Sequence, residues 1–162
     1  MNASLRDPAE RRGLLRYFYR DWRPTRLGRI WSAIYAFATG LGLGPEALVT
    51  LQVKSRTDGS LCSTVLACAN YEGTRYVVSM LGHTSQWVQN LRAAGGKAFI
   101  KRGRSRPVML TEIPPEHSAP MLKAWCQVAT SGRQHLPVPH DAALSDFAAI
   151  APDYPVFRID PA

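Results

Sequence analysis

Three stretches carry side chains whose types and spacing could do chemistry together. Lys54-Ser55-Arg56-Thr57-Asp58-Gly59-Ser60 sets two cations, three hydroxyls and a glycine in one short bend. Hydroxyls, a guanidinium and loop N–H groups together suit a phosphate or carboxylate. A solvated hairpin turn has the same composition. Ser79-Met80-Leu81-Gly82-His83-Thr84-Ser85 leads into Gln86-Trp87-Val88-Gln89-Asn90-Leu91. There a strand ends, a glycine loop follows and a helix begins, and helix starts attract anions and electron-rich ring edges. Trp87 and Asn90 stand three apart and can share one helical face. The third stretch is the basic run Lys97, Lys101, Arg102, Arg104 and Arg106. Its plain alternative is a solubilising surface.

Several chemistries lose support. His83, His117, His135 and His140 show no ligand-pair spacing, so a metal site is not expected. GxSxG, P-loop and GxGxxG patterns are absent, which argues against triad hydrolysis, Walker-type nucleotide binding and Rossmann binding. No acid–base pair stands out, so a catalytic residue is not assigned. Cys62, Cys68 and Cys126 are odd in number and lack CxxC spacing, which points to reduced thiols rather than a disulfide framework.

The elements that must position these residues follow from periodicity. Asp7-Pro8-Ala9-Glu10 is a helix start, and Leu14, Leu15, Phe18 and Trp22 continue it to Pro24. Ile30 to Leu43 is apolar, aromatic-rich and too short to span a bilayer; it packs on the domain or lies on a membrane surface. From Leu48 the pattern becomes sheet: strands over 48–53, 61–69 and 75–81, with turns at 55–60 and 70–73. Ser85 is the expected cap of a helix carrying Trp87, Val88 and Leu91, closed by Gly95-Gly96. Two strands follow, over 97–101 and 106–112, then a helix over 115–129. A short helix capped by Asp141 runs to Ile150, and a last strand covers 155–159. This order predicts an α+β fold, an antiparallel split β-barrel with flanking helices. It divides into an N-terminal helical segment, 1–45, and a barrel domain, 46–162.

Charge narrows the partners. The chain has 162 residues and a net charge of +8. Residues 1–37 carry eight Arg against three acids, and 38–106 carry nine Lys and Arg against three acids. Residues 107–162 reverse the balance, with three basic and six acidic residues. Such a field attracts anions. Nucleic acid is not expected, because no recognised motif is present and the basic strands show no interleaved exposed aromatics. The expected location is cytoplasmic, with peripheral membrane association through the N-terminal helices.

From about Leu43 to Phe157 the chain resembles the deazaflavin-dependent nitroreductase family of split β-barrel proteins. The matching parts, in family order, begin with the turn Ser55-Arg56-Thr57-Asp58-Gly59 and the strand Glu72-Gly73-Thr74-Arg75-Tyr76-Val77-Val78-Ser79. Next come Trp87-Val88-Gln89-Asn90-Leu91-Arg92-Ala93, Arg133-Gln134-His135-Leu136-Pro137-Val138 and Tyr154-Pro155-Val156-Phe157-Arg158. The Trp-x-x-Asn-Leu-Arg match is the most specific. The resemblance implies that coenzyme F(420), a deazaflavin, lies across the barrel. Lys54, Ser55, Arg56, Thr57 and Ser60 would hold its phosphate and acidic tail. Ser79, Met80, Leu81, Gly82, Ser85, Trp87 and Asn90 would meet its ring and ribityl arm. Hydride would pass to a small electron-poor acceptor: a quinone, a nitroaromatic or an activated alkene. Proton delivery would fall to Tyr71, Tyr76 or solvent, and a homodimer is the expectation carried by the fold.

The turn departs from the family's Gly-Arg-Lys-Ser-Gly pattern. Ser55 replaces the first Gly, Thr57 the Lys and Val65 a later Pro, and Cys62-Ser63 stand where an Arg is expected. The tail could instead be held by the Lys97–Arg106 hairpin. FMN, and a non-catalytic cofactor-binding or ligand-binding role on the same fold, are the alternatives.

Overall fold

The computed structural model describes residues 47–162, together with the backbone of residues 19–20 and 23–24. Most of the expected helix over 7–23, and the apolar stretch 30–43, lie outside the described residues. Tyr19–Arg20 (β1) and Arg23–Pro24 (β2) pair antiparallel where the last helical turn was expected. Pro24 disfavours helical backbone at Arg23, within β2.

Six strands close into a barrel: β3 (Leu48–Lys54), β4 (Leu61–Tyr71), β5 (Thr74–Val78), β6 (Lys97–Arg102), β7 (Arg104–Ile113) and β8 (Val156–Pro161). Their order round the barrel is β3-β4-β5-β8-β7-β6, and every neighbouring pair is antiparallel. Strict alternation fills the interior. Val49, Leu51 and Val53 of β3 point inward, as do Ala98 and Ile100 of β6 and Val108 and Leu110 of β7.

The barrel has two unlike ends. One carries the β3–β4 bend and the passage from β5 into helix α1 (Gln86–Ala93) and on to β6. Val88 and Leu91 of α1 are buried and belong to the barrel core, with Trp87 packed beside them, so this helix stoppers that end. The other end carries the start of β3, the β4–β5 turn, the β6–β7 turn and the end of β8. Helices α2 (Pro115–Val128) and α3 (Leu144–Ile150) cover the outer face of β4, β5 and β8 through Leu122, Trp125, Cys126 and Phe147. The Trp125 indole N–H donates to the Ala67 carbonyl at 3.0 Å, which fixes α2 to β4.

Several boundaries differ from the sequence reading. β4 runs on to Tyr71, and its turn is Glu72-Gly73 alone, both with positive φ, the two-residue turn that suits strand twist. β5 stops at Val78: the Ser79 N–H still donates in register to the Pro155 carbonyl, but proline has no N–H to return. The β6–β7 hairpin pairs right up to Gly103, so β7 starts at Arg104 rather than Arg106. Asp141 does not cap α3; Ala143 holds that position. Ser85 stands at the start of α1 but makes no capping bond through its side chain. The expectation that the basic strands lack an exposed aromatic also fails, since Phe99 is exposed on β6 between Lys97 and Lys101. Of the thiols, Cys62 is exposed while Cys68 and Cys126 are buried, and burial pushes Cys126 up to about 11. No helix among the described residues is long and apolar enough to cross a membrane.

Gly96 turns α1 into β6 with φ +82°, and a Cβ there would lie 2.6 Å from the Leu110 carbonyl oxygen. Gly95 also has positive φ, but a Cβ on it would meet nothing within 4 Å. Gly96→Ala should therefore cost about 3 kcal/mol, combining backbone strain with overpacking. Gly95→Ala should cost about 1 kcal/mol from strain alone. Urea unfolding checks this, and equal losses would show that the Leu110 contact does not constrain the turn.

Candidate functional site

The bend and α1 meet directly. Asn90 is 3% exposed, and its side-chain Oδ1 accepts two hydrogen bonds from Arg56. The Arg56 backbone N–H donates at 3.2 Å and Nη1 at 2.9 Å. Burial of Val88 and Leu91 holds the helix, so Asn90 is presented to the bend at a fixed height. The two sequence-selected stretches therefore form one surface at the stoppered end.

The bend satisfies most of its own donors. Ser55 N–H donates to the Ser60 carbonyl, Gly59 N–H to the Ser55 carbonyl and Thr57 N–H to Ser55 Oγ. Ser60 donates through both its N–H and its Oγ to Asp58 Oδ1, at 3.1 and 2.7 Å. Those bonds, led by the Ser60 hydroxyl, hold the Asp58 carboxyl below its ordinary value. The internal carboxylate occupies the place a bound anion would take from Ser60. Ser55 and Thr57 are hydrogen-bonded to each other through their hydroxyls. What the bend offers outward is charge on side chains: Lys54 and Arg56 are both exposed.

The loop after β5 is equally closed. Ser79 is 1% exposed, and its hydroxyl donates to the Gly82 carbonyl at 2.7 Å. Gly82 has φ +73°, and a Cβ there would stand 3.0 Å from the Asp153 carbonyl oxygen, so glycine lets the two loops touch. Met80 is half-buried, with its sulfur packed close to Gly132. Leu81 and Ser85 are half-buried at the surface of this end. Trp87 packs edge-on to Phe157, ring centroids 5.3 Å apart, as part of the core. Trp87 and Asn90 thus do different work: one is packing, the other a hydrogen-bond anchor.

A neighbouring network escaped the sequence reading. His83 Nε2 lies 2.6 Å from the Pro152 carbonyl, which can only accept, so Nε2 carries the hydrogen. Nδ1 is then the acceptor for Arg92 Nη2 at 2.9 Å. Arg92 also donates from Nε to Glu112 at 3.0 Å. Residues 20 and 69 apart in sequence meet here, and no local motif signals it. The two tyrosines considered as proton donors stand elsewhere. Tyr71 ends β4 at the opposite end of the barrel, and Tyr76 is buried beneath α2. The Lys97–Arg106 hairpin divides too: Lys97 begins beside the stoppered end, whereas Arg102 and Arg104 sit at the far one. Two shallow depressions, of 370 and 430 Å³, lie along α2 and α3 around Pro120 and Leu144; Tyr71 lines the first, and none of the residues assigned to the cofactor lines either. Among the described residues no cluster could hold a metal ion.

A solved structure described as a domain-swapped dimer aligns over 83% of this chain and 96% of its own, with TM-score 0.53 and 13% identity. The chain has a split β-barrel fold. A protein of unknown function, Atu2129 from Agrobacterium tumefaciens, aligns over 83% of this chain and 56% of its own, with TM-score 0.50 and 11% identity. An F420-H2 dependent reductase aligns over 71% of this chain and 95% of its own, with TM-score 0.49 and 13% identity. At these identities the likeness is one of fold. No protein-family profile matches the sequence, and no curated protein matches it.

Asn90→Ala removes the acceptor of both Arg56 bonds. It should cost about 2 kcal/mol and speed amide exchange at Arg56, with the barrel strands unaffected. Unchanged exchange at Arg56 would show that the bend holds itself. A second outcome concerns pH. Burial holds the His135 imidazole below its ordinary 6.5. The unfolded chain then takes up that proton first, so stability is full above pH 6.5 and falls as pH drops towards the folded value. Urea midpoints should decline between about pH 7 and 5 more in the parent than in His135→Gln.

Proposed function

We propose that the chain is an oxidoreductase that binds reduced coenzyme F(420) at the stoppered end of the barrel and passes hydride to an electron-poor acceptor such as a quinone, a nitroaromatic or an activated alkene. The observation that carries this is the Arg56–Asn90 contact. It joins the bend and the Trp-x-x-Asn-Leu-Arg helix, the two stretches the resemblance assigns to tail and ring. Lys54 and Arg56 offer charge to an acidic tail, with Asp58 the one acid in the bend. The fit is by side-chain charge rather than by a cradle of N–H groups, since the bend uses those itself.

That distinction favours the deazaflavin over FMN. A terminal phosphate monoester wants several donors converging on one point. A tail whose charges are spread along its length is served by separated cations. When bound, the coenzyme supplies the hydride chemistry, and the chain's residues bind, orient and exclude water. Arg56, held by Asn90, presents its remaining guanidinium N–H groups in a set direction. The Ser79–Gly82 loop, bonded to Pro155 and packed close to Asp153, gives a firm wall for a ring. Neither Tyr71 nor Tyr76 stands at this end.

The test is a side-by-side titration with F(420) and FMN, followed by reoxidation of the reduced coenzyme by quinone and nitroaromatic acceptors. F(420) should bind more tightly, and Lys54→Ala with Arg56→Ala should weaken it about tenfold or more. Unchanged affinity in the double variant would move the tail elsewhere. Binding without reoxidation by any acceptor would assign a ligand-carrying role instead.

A further inference from the structure

The bend at the stoppered end carries an anion of its own. Asp58 Oδ1 accepts from the Ser60 N–H at 3.1 Å and from the Ser60 hydroxyl at 2.7 Å. A backbone N–H and a hydroxyl converging on one oxygen are the donors that a phosphate oxygen recruits from a loop. Hydrogen bonds from Ser60 first and Ser55 second hold the Asp58 carboxyl below its ordinary value, so it is ionised at neutral pH. Among the described residues, Asp58 forms no ion pair with Lys54 or Arg56. Its charge rests on hydroxyls and N–H groups, and the two cations are not neutralised by it.

These groups stand open to solvent. Asp58, Gly59 and Ser60 are exposed, and a Cβ on Gly59 would meet nothing within 4 Å. A dissolved anion can therefore reach Ser60, where it meets a carboxylate fixed two residues away in the same chain. That carboxylate needs no association step, so a free anion competes at a disadvantage. A phosphate monoester carries about two charges at neutral pH. Asp58 repels it about twice as strongly as it repels a single carboxylate at the same distance. A ligand whose charges are single and spread out is repelled less at any one point, and Lys54 and Arg56 can meet it instead.

We propose that Asp58 is a specificity-determining residue: it occupies the donors of Ser60 and shuts the bend to phosphate monoesters, while anions of dispersed charge are still admitted. Its consequence for F(420) against FMN rests on the proposed coenzyme site. Its consequence for phosphate itself does not.

The experiment follows the Ser60 amide of the full chain by NMR as inorganic phosphate is added, in the parent, Asp58→Ala and Asp58→Asn. Asp58→Ala frees both donors of Ser60. Asp58→Asn keeps an acceptor for them and an Asn-Gly turn, and removes only the charge. The Ser60 amide of Asp58→Ala should shift and saturate, with phosphate bound about tenfold or more tighter than in the parent, and Asp58→Asn should fall between. In a second titration, FMN should gain about tenfold on F(420) in Asp58→Ala. Equal phosphate affinity in the parent and both variants would overturn the proposal, as would a parent that already binds phosphate at Ser60. If the Val53 and Cys62 amides show that Asp58→Ala unravels the bend, Asp58→Asn decides. A chain that binds neither F(420) nor FMN would sink the coenzyme site alone, and the phosphate titration would still decide the role of Asp58.

Discussion

Burial of Val88 and Leu91 in the mouth of the barrel is the constraint on which the rest depends. A six-stranded barrel filled by Val, Leu and Ile closes on its own sides but leaves its ends open to water. Helix α1 seals one end with two fully buried aliphatic side chains and an aromatic ring, each such burial worth about 2 kcal/mol. Once the helix is seated, its polar residues have no freedom of placement. Asn90 meets the β3–β4 bend, and Arg92 reaches Glu112 and His83. A packing requirement thereby decides where the polar chemistry sits.

The two ends differ in how their charge is managed. At the stoppered end the polar groups answer one another: Asp58 with Ser60, Asn90 with Arg56, Ser79 with Gly82, His83 with Pro152. Little is left unsatisfied, and the outward offering is the charge of Lys54 and Arg56. At the other end Arg75, Arg102, Arg104 and Arg106 gather on the inward-facing rows and are exposed. A surface whose donors are internally bonded is firm and selective, whereas a cluster of like charges attracts extended anions.

Much of the fold was legible in the sequence. Alternation in Leu48–Val53 and Lys97–Lys101, the Asp-Gly and Glu-Gly turns and the helical spacing of Trp87, Val88 and Leu91 each act over a few residues. The elements they predict are present within a residue or two. The misses have local physical causes too: Pro155, opposite Ser79, has no N–H to continue the ladder, and the Gly103 turn is tight enough to let pairing run to the tip.

The site was legible only as a list of residue types. Short-range rules place a bend and a helix start, but they do not say that Asn90 would bind Arg56 rather than a ligand. Nor do they say that Asp58 would consume the donors of Ser60, or that Trp87 would be spent on Phe157. Alternation and turn chemistry determined the strands, because those signals are carried by neighbours in the chain. Which donors remain for a partner, and which end of the barrel each cation occupies, was decided by tertiary structure, because hydrogen bonds and charges are shared between residues that only barrel closure brings together.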